Sequence, residues 1–256
     1  MNKTISIIMA YYNRQALLDK TLESIHESSV KDYELIIVDD ASLTPLKCNE
    51  AKVIHVDKDD KWYTCSAVAF NRAMREATGD IVLIQNPECY HVGDILKYVT
   101  ENIKDNVYLS FGCYAINKHE TELFHSGIMP TVYDYVVNTD GHGWYNHPTH
   151  RPVAYHFCSA IKRKDLDKIG GFDERYALGV AFDDDDFVLD GMIAVKASMP
   201  DSETLMRNTF IQNGLVVIGG MESGTLYNPP VFDLPVAITV TGDNVKHLIT
   251  DSGDYF

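Results

Sequence analysis

Short apolar runs alternate with stretches of helical spacing through the first hundred residues. Residues 5–9, 35–38, 53–56 and 81–84 are brief and dominated by apolar side chains, the pattern of strands buried on both faces. After the first run, Leu18, Leu22 and Ile25 recur at i, i+4 and i+7, which predicts a helix, with Asn13 placed to cap it. Residues 66–77 carry Ala69, Ala73 and Ala77 at helical spacing, and Gly79 suits a helix stop. Residues 93–103 repeat the pattern with Leu96, Val99 and Ile103. Strand, helix, strand in this order predicts an α/β domain built on a largely parallel sheet.

The second half is less regular. Residues 108–116 read as one strand, and 141–156 as a loop rich in histidine and aromatic residues. Residues 164–169 form a short helix closed by Gly170-Gly171, and 215–218 and 236–240 read as strands. Polar clusters fall at fixed points of the alternation. Tyr11-Tyr12-Asn13 follows the first strand, Asp39-Asp40 the second, and Asn86-Pro87-Glu88 the fourth. In an open α/β sheet, ligands bind at the carboxyl ends of the strands, so three clusters on that edge point to a site.

Composition narrows the chemistry. No apolar run approaches the length of a bilayer span, and residues 1–10 are too short for a signal peptide and read as a buried strand. Five cysteines with no CxxC pair suit a reducing compartment and argue against a zinc site or a disulfide framework. A net charge of −15 speaks against nucleic acid as a partner, since its backbone would be repelled. The same charge means that a phosphate ligand needs a cation between itself and the protein.

Four segments, residues 6–14, 34–42, 77–88 and 170–175 running on to 182–187, resemble in order and spacing the family 2 glycosyltransferases of the GT-A fold. The resemblance covers roughly residues 3–190. It implies an α/β architecture of GT-A type: a Rossmann-like, mostly parallel sheet with helices on both faces, plus a smaller acceptor-side region. The transferase domain would be 1–190, with a nucleotide-sugar half of about 1–105 and an acceptor and catalytic half of about 106–190. Residues 191–256 find no match to the usual family ending; an acceptor-side lobe, an oligomerisation element and a foreign chain end all stay open.

By the same resemblance, Ala10, Tyr11 and Asp39 hold the nucleoside, with Asp40 beside them. A carboxylate can accept the uracil N3 proton, and a tyrosine ring can cover a base. Where relatives carry Asp-x-Asp for a metal, this chain has Asn86-Pro87-Glu88, so Glu88 is the expected ligand of Mn²⁺ or Mg²⁺. The run from Asp183 to Asp186 matches Glu-Asp-x-Asp. Asp184 is then the catalytic base, Asp185 its reserve, and Asp183 a ligand of acceptor hydroxyls. Trp144, in the aromatic loop, is expected to pack against the acceptor.

The implied activity is inverting, metal-dependent transfer of a sugar from a nucleotide diphosphate, a UDP-sugar being the common case, to a glycan or other hydroxyl acceptor. Polysaccharide biosynthesis in the cytoplasm is the implied setting, with membrane-surface attachment and oligomerisation left open. Two rivals carry different expectations. A phosphoacceptor domain needs a further acceptor Asp that Asn86-Pro87-Glu88 does not supply. A non-catalytic nucleotide- or sugar-binding module would bind without turnover.

Overall fold

The computed structural model describes residues 4–147, 150, 151, 153–179, 183, 187, 216–219 and 236–240. The elements begin with β1 (Ile5–Tyr11), α1 (Gln15–His26), β2 (Tyr33–Asp39), β3 (Lys52–His55), α2 (Ala67–Glu76) and β4 (Ile81–Gln85). They continue with β5 (Cys89–Val92), α3 (Ile95–Asn102), β6 (Val107–Ser110), β7 (Cys113–Ile116), α4 (Lys118–His125) and β8 (Gly143–Asn146). The last are β9 (Cys158–Lys162), α5 (Arg163–Ile169), β10 (Val216–Gly219) and β11 (Val236–Val240).

A seven-stranded sheet has the order β10-β6-β9-β4-β1-β2-β3. The β1–β2, β1–β4 and β2–β3 pairs are parallel, whereas β9 runs antiparallel to both β4 and β6. Alternation along β1 explains the layers. Ile5, Ile7 and Met9 face α1 and α3, packing with Leu18, Leu22, Ile25, Leu96 and Val99. Ile8 faces the other way, onto Ala69, Ala73 and Leu166 of α2 and α5. Helices therefore cover both faces, as a continuous apolar strand requires.

The structure corrects several local expectations. Residues 108–116 are two strands, β6 and β7, because the chain leaves the large sheet after Ser110 and enters a second one. That second sheet has the order β5-β11-β7-β8. Asn13 does not cap α1: it sits at φ 49°, and its Oδ1 accepts the Leu43 N–H at 2.8 Å. Gly79 is required by close approach, since a Cβ there would stand 2.8 Å from Ser6 Oγ and Thr4 O. Strands β5, β8 and β9 and helix α4 were not anticipated. The late strands are integral: β10 pairs parallel with β6, and β11 joins β5 to β7. Among the described residues no helix is long and apolar enough to cross a membrane.

His91 on β5 supplies a pH prediction. It is buried, with Nε2 2.8 Å from Gln85 Oε1, and burial pushes its pKa down to about 3 against the opposing charge of Asp94. The folded state therefore holds His91 neutral. Its contribution is complete above the ordinary value of 6.5 and is lost as pH falls from there toward 3. By linkage the loss at pH 5 is about 2 kcal/mol. Unfolding free energies from urea titrations at pH 7 and pH 5 should differ less in His91→Gln than in the parent chain by about that amount.

Candidate active site

The parallel register sets Tyr11 beside Asp39, and the Asp40 N–H bonds the Tyr11 carbonyl at 2.8 Å. The loops after β1 and β2 are laced together by Asn13, whose N–H bonds Ser42 Oγ at 3.0 Å while its side chain holds Leu43. Asn13 and Ala41 both adopt positive φ, 49° and 64°. For alanine this is a costly conformation, of the kind that concentrates at functional loops.

Ala10 is half-buried against the α2 face of the sheet. Tyr11 is only 2% exposed and packs in the α1-side core, so its ring cannot cover a base. Tyr12 presents its ring instead, 42% exposed, with Lys61 Nζ 5.3 Å from the ring centroid. Asp39 is buried and well engaged. Its Oδ1 accepts the Ser42 N–H at 3.2 Å, and its Oδ2 accepts the Leu46 N–H at 2.8 Å and lies 3.0 Å from His55 Nδ1. A carboxylate has about four acceptor positions, which leaves one for a ligand donor. Asp40 takes two donors, Lys61 Nζ at 2.5 Å and the Tyr63 hydroxyl at 2.6 Å. Burial and the Asp40 bond raise the Tyr63 pKa, so that phenol stays a donor.

Glu88 follows β4 on the same edge. It is 2% exposed, and Arg14 Nη1 lies 2.7 Å from its Oε2. That contact is one of charge, because Oε2 accepts no well-aligned hydrogen bond. Oε1 has only Asn86 Nδ2, at 3.5 Å. Arg14 donates through Nε to the Tyr12 carbonyl at 3.2 Å, and Glu88 raises its pKa further. Glu88 is thus the least satisfied of the three buried acids on this edge.

The Gly170–Arg175 motif anchors the chain leading to the acidic run. Gly170 closes α5 in the left-handed conformation. Asn71 of α2 brackets Phe172, accepting its N–H at 2.9 Å and donating to its carbonyl at 2.8 Å. A Cβ on Gly171 would meet Asn71 Oδ1 at 2.6 Å, which explains the second glycine. Phe172 then stacks on Phe187 at 4.3 Å. Asp183 is buried, and both Asp183 and Phe187 have helical backbone. Asp184 and Asp185 lie outside the described residues.

Trp144 is not an acceptor platform in this structure. Only 3% exposed, it packs edge-on against Tyr114 at 5.1 Å in a small core that also holds Ile116 and Phe124. His156 is likewise buried, between Phe70 and Phe172. A cavity of about 560 Å³ beside α2 and α5 is lined by Asn71, Arg75, Arg163 and Gly171 and contains none of the candidate residues.

The profile of glycosyl transferase family 2 matches residues 6–170, well over half of the chain. The chain belongs to this family. An uncharacterized glycosyltransferase, YwdF of Bacillus subtilis (strain 168), is 35% identical over 104 residues, which are 38% of this chain and 37% of that protein. The mannosyltransferase PcManGT from Pyrobaculum calidifontis, solved with GDP-Man and Mn²⁺, superposes with a TM-score of 0.50 at 18% identity, covering 95% of this chain and 58% of that one. TarS of S. aureus, solved with UDP-GlcNAc, gives 0.49 at 13% identity over 73% of this chain and 53% of that one. The chain therefore spans well under two thirds of the length of the relatives it matches. The fold is that of GT-A glycosyltransferases.

For a family 2 member the residues at the metal position deserve a chemical test. Among the described residues no three His, Cys, Asp or Glu side chains converge as a metal cage. Glu88 nevertheless fits a single-carboxylate site: it is a hard oxygen donor with a buried oxygen that lacks an aligned hydrogen bond. Mg²⁺-type sites are commonly built from one or two carboxylates completed by substrate phosphates and water. Sequence reasoning missed Arg14, His55, Lys61 and Tyr63, which surround the three acids. Only Arg14 carried a signal, as a cation inside the first motif; the others come from segments with no distinctive spacing.

Proposed function

We propose that this family 2 chain transfers a sugar from a nucleoside diphosphate sugar to a hydroxyl acceptor, with inversion. The observation that carries the proposal is the convergence of three loops on one sheet edge. They bring the exposed Tyr12 ring, buried Asp39 and the under-satisfied Glu88 to the carboxyl ends of β1, β2 and β4. Tyr12 offers a ring face to the nucleobase, and Asp39 accepts its N–H, which favours uracil, thymine or guanine over bases that present an acceptor there. UDP is the nucleotide we assign, with GDP, held by the mannosyltransferase of like fold, as the competing case.

Glu88 is the residue that would hold Mn²⁺ or Mg²⁺, and such an ion supplies positive charge to the leaving diphosphate. Asp184 accepts the acceptor hydroxyl's proton as that oxygen attacks the anomeric carbon, and Asp185 is its reserve. Asp183 orients acceptor hydroxyls. A glycan acceptor and a cytoplasmic setting in polysaccharide biosynthesis complete the reading.

Calorimetry with UDP tests the nucleoside assignment. Asp39→Asn turns half of an acceptor into a donor, so UDP should bind about ten- to a hundredfold more weakly. Because Asp39 also holds the Ser42 and Leu46 amides, the variant should lose about 1–3 kcal/mol of stability as well. Unchanged UDP affinity at measurably lower stability would make Asp39 a loop anchor only.

A further inference from the structure

Three buried acids line the candidate edge, and two of them are satisfied by neutral or permanent partners. Asp39 has two backbone amides and His55; Asp40 has Lys61 and Tyr63. Glu88 differs. Its counter-charge is Arg14, whose side chain is 12% exposed, and the contact lacks aligned hydrogen bonding. A planar guanidinium can grip a carboxylate through two parallel N–H bonds, and here the close approach is Nη1 to Oε2 at 2.7 Å. Nε keeps the guanidinium tethered to the Tyr12 carbonyl.

We propose that Arg14 is an internal counter-cation: it holds Glu88 in the donor-free chain, yields it to the divalent cation that arrives with the nucleotide diphosphate, and then pairs with a donor phosphate. The inference rests on the reading of Glu88 as the metal ligand. Its logic is charge balance. An unpaired carboxylate this deeply buried is expensive, so something must neutralise it before a metal does. A divalent ion entering alone would add two positive charges beside Arg14 with one carboxylate to share, and repulsion would oppose it. The diphosphate supplies the missing negative charge. Arg14, tethered at the end of β1, is then a cation next to that anion, and guanidinium suits phosphate better than any other side chain does. Metal and nucleotide therefore bind together or weakly, and the single acid of Asn86-Pro87-Glu88 is sufficient because Arg14 supplies further positive charge.

The test measures Mn²⁺ alone, UDP alone and both together, by calorimetry and thermal shift, on the parent chain, Arg14→Gln and the Arg14→Gln/Glu88→Gln double variant. The parent should bind Mn²⁺ weakly without UDP and bind UDP at least about tenfold more tightly with Mn²⁺ present. Arg14→Gln should bind Mn²⁺ alone at least about tenfold more tightly than the parent, because the competing cation is gone, and bind UDP with Mn²⁺ at least about tenfold more weakly. The double variant should lose the Mn²⁺ gain. Should Arg14→Gln fail to fold in metal-free buffer, recovery of its melting transition by Mn²⁺ alone gives the same answer, with the double variant folding without it. If Mn²⁺ promotes UDP binding in the parent but Arg14→Gln gains no Mn²⁺ affinity, the exchange is wrong and the metal reading stands. If UDP binding by the parent ignores Mn²⁺, the metal reading is wrong and the exchange falls with it.

Discussion

Asp184→Asn should transfer sugar about 10²–10⁴-fold more slowly than the parent chain while binding donor and metal nearly as well. Asparagine has the size of aspartate and keeps a carbonyl oxygen, so ground-state contacts survive. What disappears is a group able to take a proton as the acceptor oxygen attacks. The barrier rises by roughly 3–5 kcal/mol, and the loss falls on kcat with KM for the donor little changed. The surrounding charge makes the result diagnostic. Residues 183–186 are four consecutive aspartates, and removing one charge relieves repulsion, so an inactive variant should be as stable as the parent or more so. Steady-state transfer kinetics beside a melting curve read both quantities. Retention of more than about a tenth of normal transfer would move the role to Asp185, and Asp185→Asn should then carry the defect.

Glu88 variants should fail in two separable ways. Glu88→Gln keeps the volume and removes the charge that a divalent ion needs. Even the outer partners of metal ligands cost about 10–100-fold when lost, so Mn²⁺-stimulated donor hydrolysis should fall by at least about a hundredfold. Both variants also carry a structural penalty, because either one leaves Arg14, whose side chain is 12% exposed, without its counter-charge. Breaking a buried pair from one side costs about 3–5 kcal/mol. A strand-end carboxylate would ordinarily be replaceable without harm to the fold; the Arg14 contact is what changes that expectation. Urea unfolding of the two variants against the double Arg14→Gln/Glu88→Ala change measures the penalty, which the double change should largely relieve. Equal stability of Glu88→Ala and the parent would show that the pair carries no energy.

The fold was legible where burial is two-sided. Residues 5–9, 35–38 and 81–84 are apolar, Ser6 apart, because helices cover both faces of the central sheet, and Leu18, Leu22 and Ile25 mark the α1 face directly. Legibility ended where partners are distant in sequence. Nothing local in residues 108–116 marks the point where the chain changes sheets, since both halves are equally apolar and buried. Asn13 is a good cap by type, yet its side chain went to Leu43 across the adjacent loop. The site followed the same rule. Asp39, Asp40 and Glu88 could be placed on one edge from the order of strands alone. Which of them is free for a ligand depended on His55, Lys61, Tyr63 and Arg14, whose contacts join separate segments. Tyr11 and Tyr12 differ only in which way strand alternation turns them: one ring went into the core and its neighbour to the surface.

The central claim is that this edge turns over a nucleoside diphosphate sugar. The most direct measurement is release of free nucleoside diphosphate from a panel of UDP-, GDP- and dTDP-sugars by the purified chain, with Mn²⁺ and with excess chelator. The account predicts release from UDP-sugars with Mn²⁺ and a collapse on chelation. Tight UDP binding with no release from any donor, in the presence of hydroxyl acceptors and Mn²⁺, would contradict it and leave a nucleotide-binding module in place of a transferase.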